Sequence, residues 1–174
     1  MKTITNGLLL RKTPRGDADL IISAFTESLG VVSAVAYSAR KSKRRFACLE
    51  PYHTLRFELD DVAGRDLAVL ANATLVEPRL PFTESLARME QGGEALRWTR
   101  EMSPPRQPEP ELWTALAGAL DQLALSDEPD PLAVYGLTML RVLGVPPISG
   151  VRQGMRAGEI IGVVRRTVRE HTAR

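Results

Sequence analysis

The segment YHTLRFELDD, residues 52–61, decides the architecture of the first half of the chain. Leu55, Phe57 and Leu59 alternate with charged residues, and this period of two is typical of a β-strand with one buried face. The segment therefore predicts a half-buried strand and indicates that its neighbours belong to the same sheet.

Four further segments of the first 80 residues have strand character. They are rich in β-branched or small apolar residues and are separated by turn residues such as Gly30. Their sequences are ITNGLLLRK (4–12), ADLIISAFTE (18–27), GVVSAVAYS (30–38) and GRDLAVLANATLVEP (64–78), of which the last also tolerates a helix. Five short strands with one long interruption, at residues 38–51, predict a Greek-key β-barrel of the OB type.

The second half of the chain predicts helices. Leu112, Leu116 and Leu120 recur at helical spacing, and similar apolar stripes precede and follow them. A proline-rich stretch at residues 103–110 cannot continue a helix and predicts a linker between the first two helices. The fold class is therefore α+β, with a five-stranded OB-type barrel at residues 1–80 and an α-helical domain at residues 81–174.

The residue inventory excludes several classes of protein. A single cysteine, Cys48, cannot build a disulfide framework, and with two distant histidines it cannot form a zinc site of ordinary ligand chemistry. No apolar run approaches the roughly 20 residues that a membrane-spanning helix needs. The N-terminus lacks the pattern of a signal peptide. We therefore expect a cytoplasmic protein that binds no cofactor and no membrane.

The chain has a net charge of only +2, but its charges are unevenly distributed. Residues 1–80 carry 12 basic and 9 acidic side chains, residues 81–150 carry 5 and 10, and residues 151–174 carry 6 and 2. Contact with a polyanion is therefore expected to involve the two ends of the chain rather than its middle.

A dense group of cations, here called the basic cluster, interrupts the predicted barrel at residues 40–45. A solvated turn or an address signal would also account for such a group. Loops of OB barrels commonly hold nucleic acid, however, and arginine suits bidentate contact with phosphate. We predict DNA contacts at the cluster, with two cations of the first strand as secondary contacts. The predicted contacts are Arg40, Lys41, Lys43, Arg44 and Arg45, then Lys12 and Arg15.

Aromatic and acidic side chains add little to this prediction. Only 5% of the chain is aromatic, and the rings near the cluster that could stack on bases are Tyr37, Phe46, Tyr52 and Phe57. Phe57 belongs to the strand pattern, and Phe46 and Tyr52 are better explained by packing. Binding is therefore expected to be mainly electrostatic. The acid pairs Asp17/Asp19 and Asp60/Asp61 resemble turn residues more than ligands of a metal-dependent nuclease.

Several motifs of residues 8–78, taken in order, resemble the N-terminal half of the bacterial recombination mediator RecO. They comprise a G-D-x-D turn, a T-x-x-x-G hairpin, a basic A-R-x-x-x-R-R-F loop, an L-E-P step and a closing A-x-L-x-E-P. These correspond to Gly16–Asp19, Thr26–Gly30, Ala39–Phe46, Leu49–Pro51 and Ala73–Pro78. The chain looks like a short member of the family without the four-cysteine zinc insertion that relatives often carry.

The resemblance implies an adaptor in DNA repair rather than an enzyme. Such a protein would bind and anneal single- and double-stranded DNA near the nucleoid, engage the acidic tail of single-strand-binding protein, and act with RecR to assist RecA loading. Two alternatives remain open. One is a protein-interaction scaffold of the same fold that has lost DNA binding, and the other, less favoured, is a metal-dependent nuclease.

Overall fold

The computed structural model describes residues 1–42 and 44–174, so that Lys43 lies outside the described residues. The chain divides into two compact units. The first comprises residues 1–78 and 104–109, and the second comprises residues 79–103 and 110–174.

The first unit is a closed five-stranded barrel. Its strands are β1 (Lys2–Arg15), β2 (Asp19–Thr26), β3 (Gly30–Ala36), β4 (Thr54–Asp60) and β5 (Ala68–Glu77). Around the barrel they follow the order β1-β2-β3-β5-β4, and only the β3–β5 pair is parallel. The predicted OB-type barrel is confirmed, and the segment that also tolerated a helix forms β5.

Alternating side chains of the five strands fill the interior of the barrel. Phe57 is fully buried there together with Ile22 and Leu55. Gly7 makes room for the Phe57 ring, because a Cβ at this position would lie 2.8 Å from a ring carbon. The apolar residues that alternate with charged ones in residues 52–61, namely Leu55, Phe57 and Leu59, are therefore the residues that this strand contributes to the barrel core.

The second unit is helical. After a 3-10 helix at Leu80–Glu84 it contains α1 (Leu86–Met102), α2 (Pro110–Leu123), α3 (Asp130–Val142) and α4 (Ala157–Thr172). In its interior Gly136 of α3 lies against Trp98 of α1 and Val164 of α4, since a Cβ on Gly136 would come within 3.0 Å of both side chains. Within the described chain, no helix has the length and apolar character needed to cross a membrane.

Residues 104–109, which connect α1 to α2, pack on the barrel. Pro105 forms a parallel bridge with Val31, and the Arg106 N–H donates to the Val31 carbonyl at 2.9 Å. The Arg106 guanidinium donates to both carboxylate oxygens of Asp61, at 2.6 and 3.1 Å. These hydrogen bonds from Arg106 lower the pKa of Asp61 below its ordinary value. The proline-rich stretch is thus a strap on the barrel surface.

We expect Gly30→Ala to destabilise the barrel strongly, because Gly30 has φ 69° and a Cβ there would lie 2.2 Å from the carbonyl oxygen of Gln107 in the strap. Gly64→Ala is the matched control, because Gly64 has φ 77° with no atom near its Cβ position and meets only the backbone strain, about 1–2 kcal/mol. Urea denaturation should show a clearly larger destabilisation for Gly30→Ala. Equal destabilisation by the two substitutions would mean that the strap does not pack on Gly30.

The Asp61–Arg106 pair predicts a pH dependence of stability. Because the pKa of Asp61 is lowered in the folded state, its contribution is present above the unfolded value of about 3.9 and is lost as the pH falls through the lower folded value. The stability advantage of the wild type over Asp61→Asn should therefore shrink between pH 6 and pH 3. Urea midpoints across that range measure it, and an advantage independent of pH would contradict the pairing.

Candidate nucleic-acid interface

The loop between β3 and β4, residues 37–53, is anchored by its apolar side chains. Ala39, Phe46 and Leu49 belong to the buried core cluster of the barrel, with Leu49 only 2% exposed. The cations between Ala39 and Phe46 have no place in that interior. Of the basic cluster, the described side chains Arg40, Lys41, Arg44 and Arg45 are all exposed.

Three hydrogen bonds tie the start of this loop to the turn between β1 and β2. The Ser38 N–H donates to Asp19 Oδ1 at 2.8 Å, and the Arg40 N–H donates to the Ala18 carbonyl at 2.9 Å. The Arg40 side chain also donates, through Nη1, to the Gly16 carbonyl at 3.0 Å. The turn and the basic cluster therefore form one continuous surface at this end of the barrel.

The described cations of the basic cluster keep their charge uncompensated. Arg45 donates to the Tyr37 carbonyl at 3.0 Å, and its guanidinium lies 4.6 Å from the centroid of the Phe46 ring. Arg40 likewise bonds a backbone carbonyl, and Lys41 and Arg44 have no side-chain partner among the described residues. Within that part of the chain, none of the four pairs with a carboxylate. Lys43, also predicted as a contact, lies outside the described residues.

The two secondary contacts predicted from β1 differ in their surroundings. Lys12 donates to the Leu49 carbonyl at 2.9 Å and to Glu50 Oε1 at 2.8 Å, so an acid of the loop neutralises it. In the β1–β2 register Lys12 is opposite the core residue Ile22, whereas Arg15 is opposite Asp19, on the other face. The structure therefore places Arg15 on the outer surface and gives Lys12 a role in holding the loop.

Arg11 is a cation of the same outer face that is absent from the contacts predicted from the sequence. Its side chain is exposed, and in the register it pairs with Ser23 of β2. Thr13, two residues further along β1, pairs with Ile21, so Arg11, Thr13 and Arg15 share one face of the strand. A register shift between Leu9 and Arg11 sets this orientation. A simple alternation counted from Leu9 would have placed Arg11 on the inner face, so only the bulge position could have identified it.

The aromatic side chains near the loop are mostly packed. Phe46 and Phe57 are buried, with 6% and 0% exposure, in agreement with the packing role predicted for them. Tyr52 is half-buried, and this burial raises the pKa of its hydroxyl. Tyr37 differs, because 43% of it is exposed to solvent.

Three of the four acids in the two acidic pairs have structural partners. Asp19 binds the Ser38 N–H, Asp61 binds Arg106, and Asp60 accepts a hydrogen bond from the N-terminal amine at 3.4 Å. Among the described residues no group of three His, Cys, Asp or Glu side chains is arranged to hold a metal ion. These contacts agree with the interpretation of both pairs as turn and surface residues.

Residues 1–79 match the family model described as recombination protein O N terminal. The barrel is thus similar to the N-terminal domain of RecO proteins. The resemblance to the RecO family is thereby confirmed, and it covers the same residues that form the closed barrel.

Curated relatives extend the similarity beyond the barrel. The chain is 34% identical over 143 residues to the DNA repair protein RecO of Anaeromyxobacter sp. (strain K), covering 81% of this chain and 56% of that protein. It is 30% identical over 144 residues to the DNA repair protein RecO of Myxococcus xanthus (strain DK1622), covering 82% and 59%. The chain thus spans little more than half the length of the curated RecO proteins it matches.

The order of the β3–β4 loop can be tested through Cys48, which lies in it. The Cys48 thiol donates to the Ala73 carbonyl at 3.2 Å, and burial raises its pKa above the ordinary value. Because the thiolate is the reactive form, we expect a thiol reagent at pH 8 to label Cys48 several-fold more slowly in the folded protein than in urea. Equal rates in the two states would show that the loop does not pack on the barrel.

Proposed function

We propose that this chain is a DNA-binding recombination mediator acting in DNA repair, and that it contacts DNA through the basic cluster and the outer face of β1. The observation that carries the proposal is the set of four exposed cations that no carboxylate of the described chain neutralises, two of them held by backbone carbonyls. The match of the barrel to the RecO N-terminal family supports the same conclusion.

Such a surface is suited to the phosphate backbone rather than to base edges. Each cation that neutralises a phosphate releases a condensed counterion, which makes the affinity strongly dependent on salt and largely independent of sequence. Guanidinium groups suit this task because they offer several donors in a planar fork. In Arg40 and Arg45 some of these donors bond carbonyl groups of the barrel, and the others remain available to phosphate oxygens.

The position of the cluster on the barrel also supports the proposal. OB folds commonly bind oligonucleotides across the face of β2 and β3 and with the loop between β1 and β2. Here the β1–β2 turn is tied by hydrogen bonds to Ser38 and Arg40, so that the cluster adjoins that turn and the end of β3. A strand lying on this face would meet Arg15 of β1 as well as the cations of the cluster.

Annealing follows from the same electrostatics. Two complementary strands repel one another through their phosphates, and a surface that neutralises part of this charge lowers the cost of bringing them together. Binding to the tail of single-strand-binding protein, cooperation with RecR and assistance of RecA loading are proposed from the resemblance to the RecO family. The proposed role is that of an adaptor, which breaks no covalent bond and needs no cofactor.

A scaffold without DNA binding is the second candidate, favoured by the acidic middle of the chain, where residues 81–150 carry 10 acids and 5 bases. The two candidates differ in whether the chain binds a labelled oligonucleotide and in whether the affinity falls with salt. A nuclease would instead cleave that oligonucleotide when a divalent cation is added.

We expect the double substitution Lys41→Glu/Arg44→Glu to weaken binding to any DNA sequence at least tenfold at low salt. Neither side chain has a structural partner among the described residues, so the change alters charge and leaves the packing of the loop intact. The slope of log affinity against log salt should also become shallower by roughly 0.7–0.9 for each phosphate that the variant no longer neutralises. Fluorescence anisotropy with labelled oligonucleotides at several salt concentrations measures both quantities.

Arg97→Glu/Arg141→Glu is the matched control, because it changes the net charge equally at two exposed residues of the acidic middle of the chain, where no polyanion contact is expected. The ion pairs that these two arginines lose are exposed and contribute little to stability. Equal weakening by the control and the cluster variant would indicate a general charge effect, and an unchanged slope in the cluster variant would overturn the proposed site.

A further inference from the structure

Tyr37 is the one exposed ring among the Phe, Tyr and Trp residues of the described chain. It is 43% exposed, whereas all the others are buried or half-buried. Its hydroxyl has no hydrogen-bond partner among the described residues. Aromatic residues are rare in this chain, at 5% of the sequence, and the others are used in packing. The exposed Tyr37 ring, close to the basic cluster, is not explained in that way.

The backbone on both sides of this ring is held in place. Tyr37 follows Ala36, the last residue of β3, and its carbonyl accepts a hydrogen bond from Arg45 Nη2 at 3.0 Å. The next residue, Ser38, has φ 57° and donates its N–H to Asp19 Oδ1 at 2.8 Å. A ligand that stacks on the ring therefore meets a platform whose backbone is already ordered, which lowers the entropic cost of binding.

The exposure of the ring and the register at the end of β3 indicate that Tyr37 lies on the outer side of the barrel. Ala36 pairs with Leu20 and joins the core cluster, and Tyr37 directly follows it. Arg15 of β1 lies on the outer side as well, because it pairs with Asp19, the residue before Leu20. Asp19 separates Arg15 from the end of β3, and its carboxylate accepts the Ser38 N–H. The basic cluster begins three residues after the ring.

We propose that Tyr37 is a base-stacking platform that makes this surface favour single-stranded over double-stranded DNA. The inference rests on the proposed function and adds to it a means of discrimination. Cations bind the phosphates of either form, but the faces of bases are free to stack on an aromatic ring only when the strand is single. A phosphate-binding surface with one accessible ring beside its cations has the chemistry that a single strand requires.

The test compares Tyr37→Leu with Tyr37→Phe, using a labelled oligothymidine and a duplex of equal length at one salt concentration. Removal of the ring should weaken binding to the single strand roughly five-fold or more, while affinity for the duplex stays unchanged. The phenylalanine variant keeps the ring and should bind the single strand as the wild type does. Urea denaturation of each variant checks that the loop remains folded.

Photo-crosslinking supplies an independent readout. An oligonucleotide that carries 5-iodouracil in place of thymine should crosslink to Tyr37 in the wild-type protein, and peptide mapping identifies the site. Crosslinks confined to other residues, or an unchanged single-strand affinity of Tyr37→Leu, would overturn the inference.

The outcomes separate the inference from the proposed function. If Tyr37→Leu weakens single-strand and duplex binding equally, the ring supports the loop and is not a stacking platform. If Lys41→Glu/Arg44→Glu abolishes binding while Tyr37→Leu leaves it unchanged, the proposed function stands and the role of Tyr37 is wrong. If the wild type binds neither oligonucleotide, both are overturned.

Discussion

The burial of three apolar side chains of the β3–β4 loop is the constraint on which the candidate site depends. Ala39, Phe46 and Leu49 join the barrel core. Complete burial of a Phe or Leu side chain stabilises a fold by about 1.5–3 kcal/mol. Two unit charges 4 Å apart in water repel by about 1 kcal/mol, and salt screens this further. Burial therefore outweighs repulsion, and the cations between Ala39 and Phe46 are held together at the surface.

The choice of hydrogen-bond acceptors preserves the charge of that surface. Arg40 and Arg45 are positioned by carbonyl groups of Gly16 and Tyr37, which fix direction without supplying an opposing ion. A carboxylate in either place would have held the side chain equally well but would have cancelled its attraction for phosphate. Lys12 shows the contrast, since its pairing with Glu50 and the Leu49 carbonyl serves the loop itself. Arg40 and Arg45 are thus held by neutral groups and keep their charge, whereas the charge of Lys12 is neutralised by its partner Glu50.

Much of the barrel could be predicted from the sequence, because the apolar residues that recur with the period of a strand are the ones that become buried in the core. Phe57, which is fully buried, is an example. The outward direction of Arg15 and Arg11 could not, since it depends on the register shift after Leu9. The packing of the strap, residues 104–109, on the barrel could not be predicted from the sequence either. Its prolines predict a break between helices, but only the pairing of Arg106 with Asp61 and Val31 shows that it packs on the barrel.

Electrostatic attraction holds both forms of DNA, because single strands and duplexes both present phosphates, and by itself it favours the more densely charged duplex. A mediator of the proposed kind needs a weak preference, strong enough to hold an open strand and small enough to release the finished duplex. The proposed site would meet this requirement with one ring on a cationic surface. Stacking on Tyr37 would be available only while a base is unpaired, so pairing itself would remove that interaction and leave the duplex held by its phosphates alone.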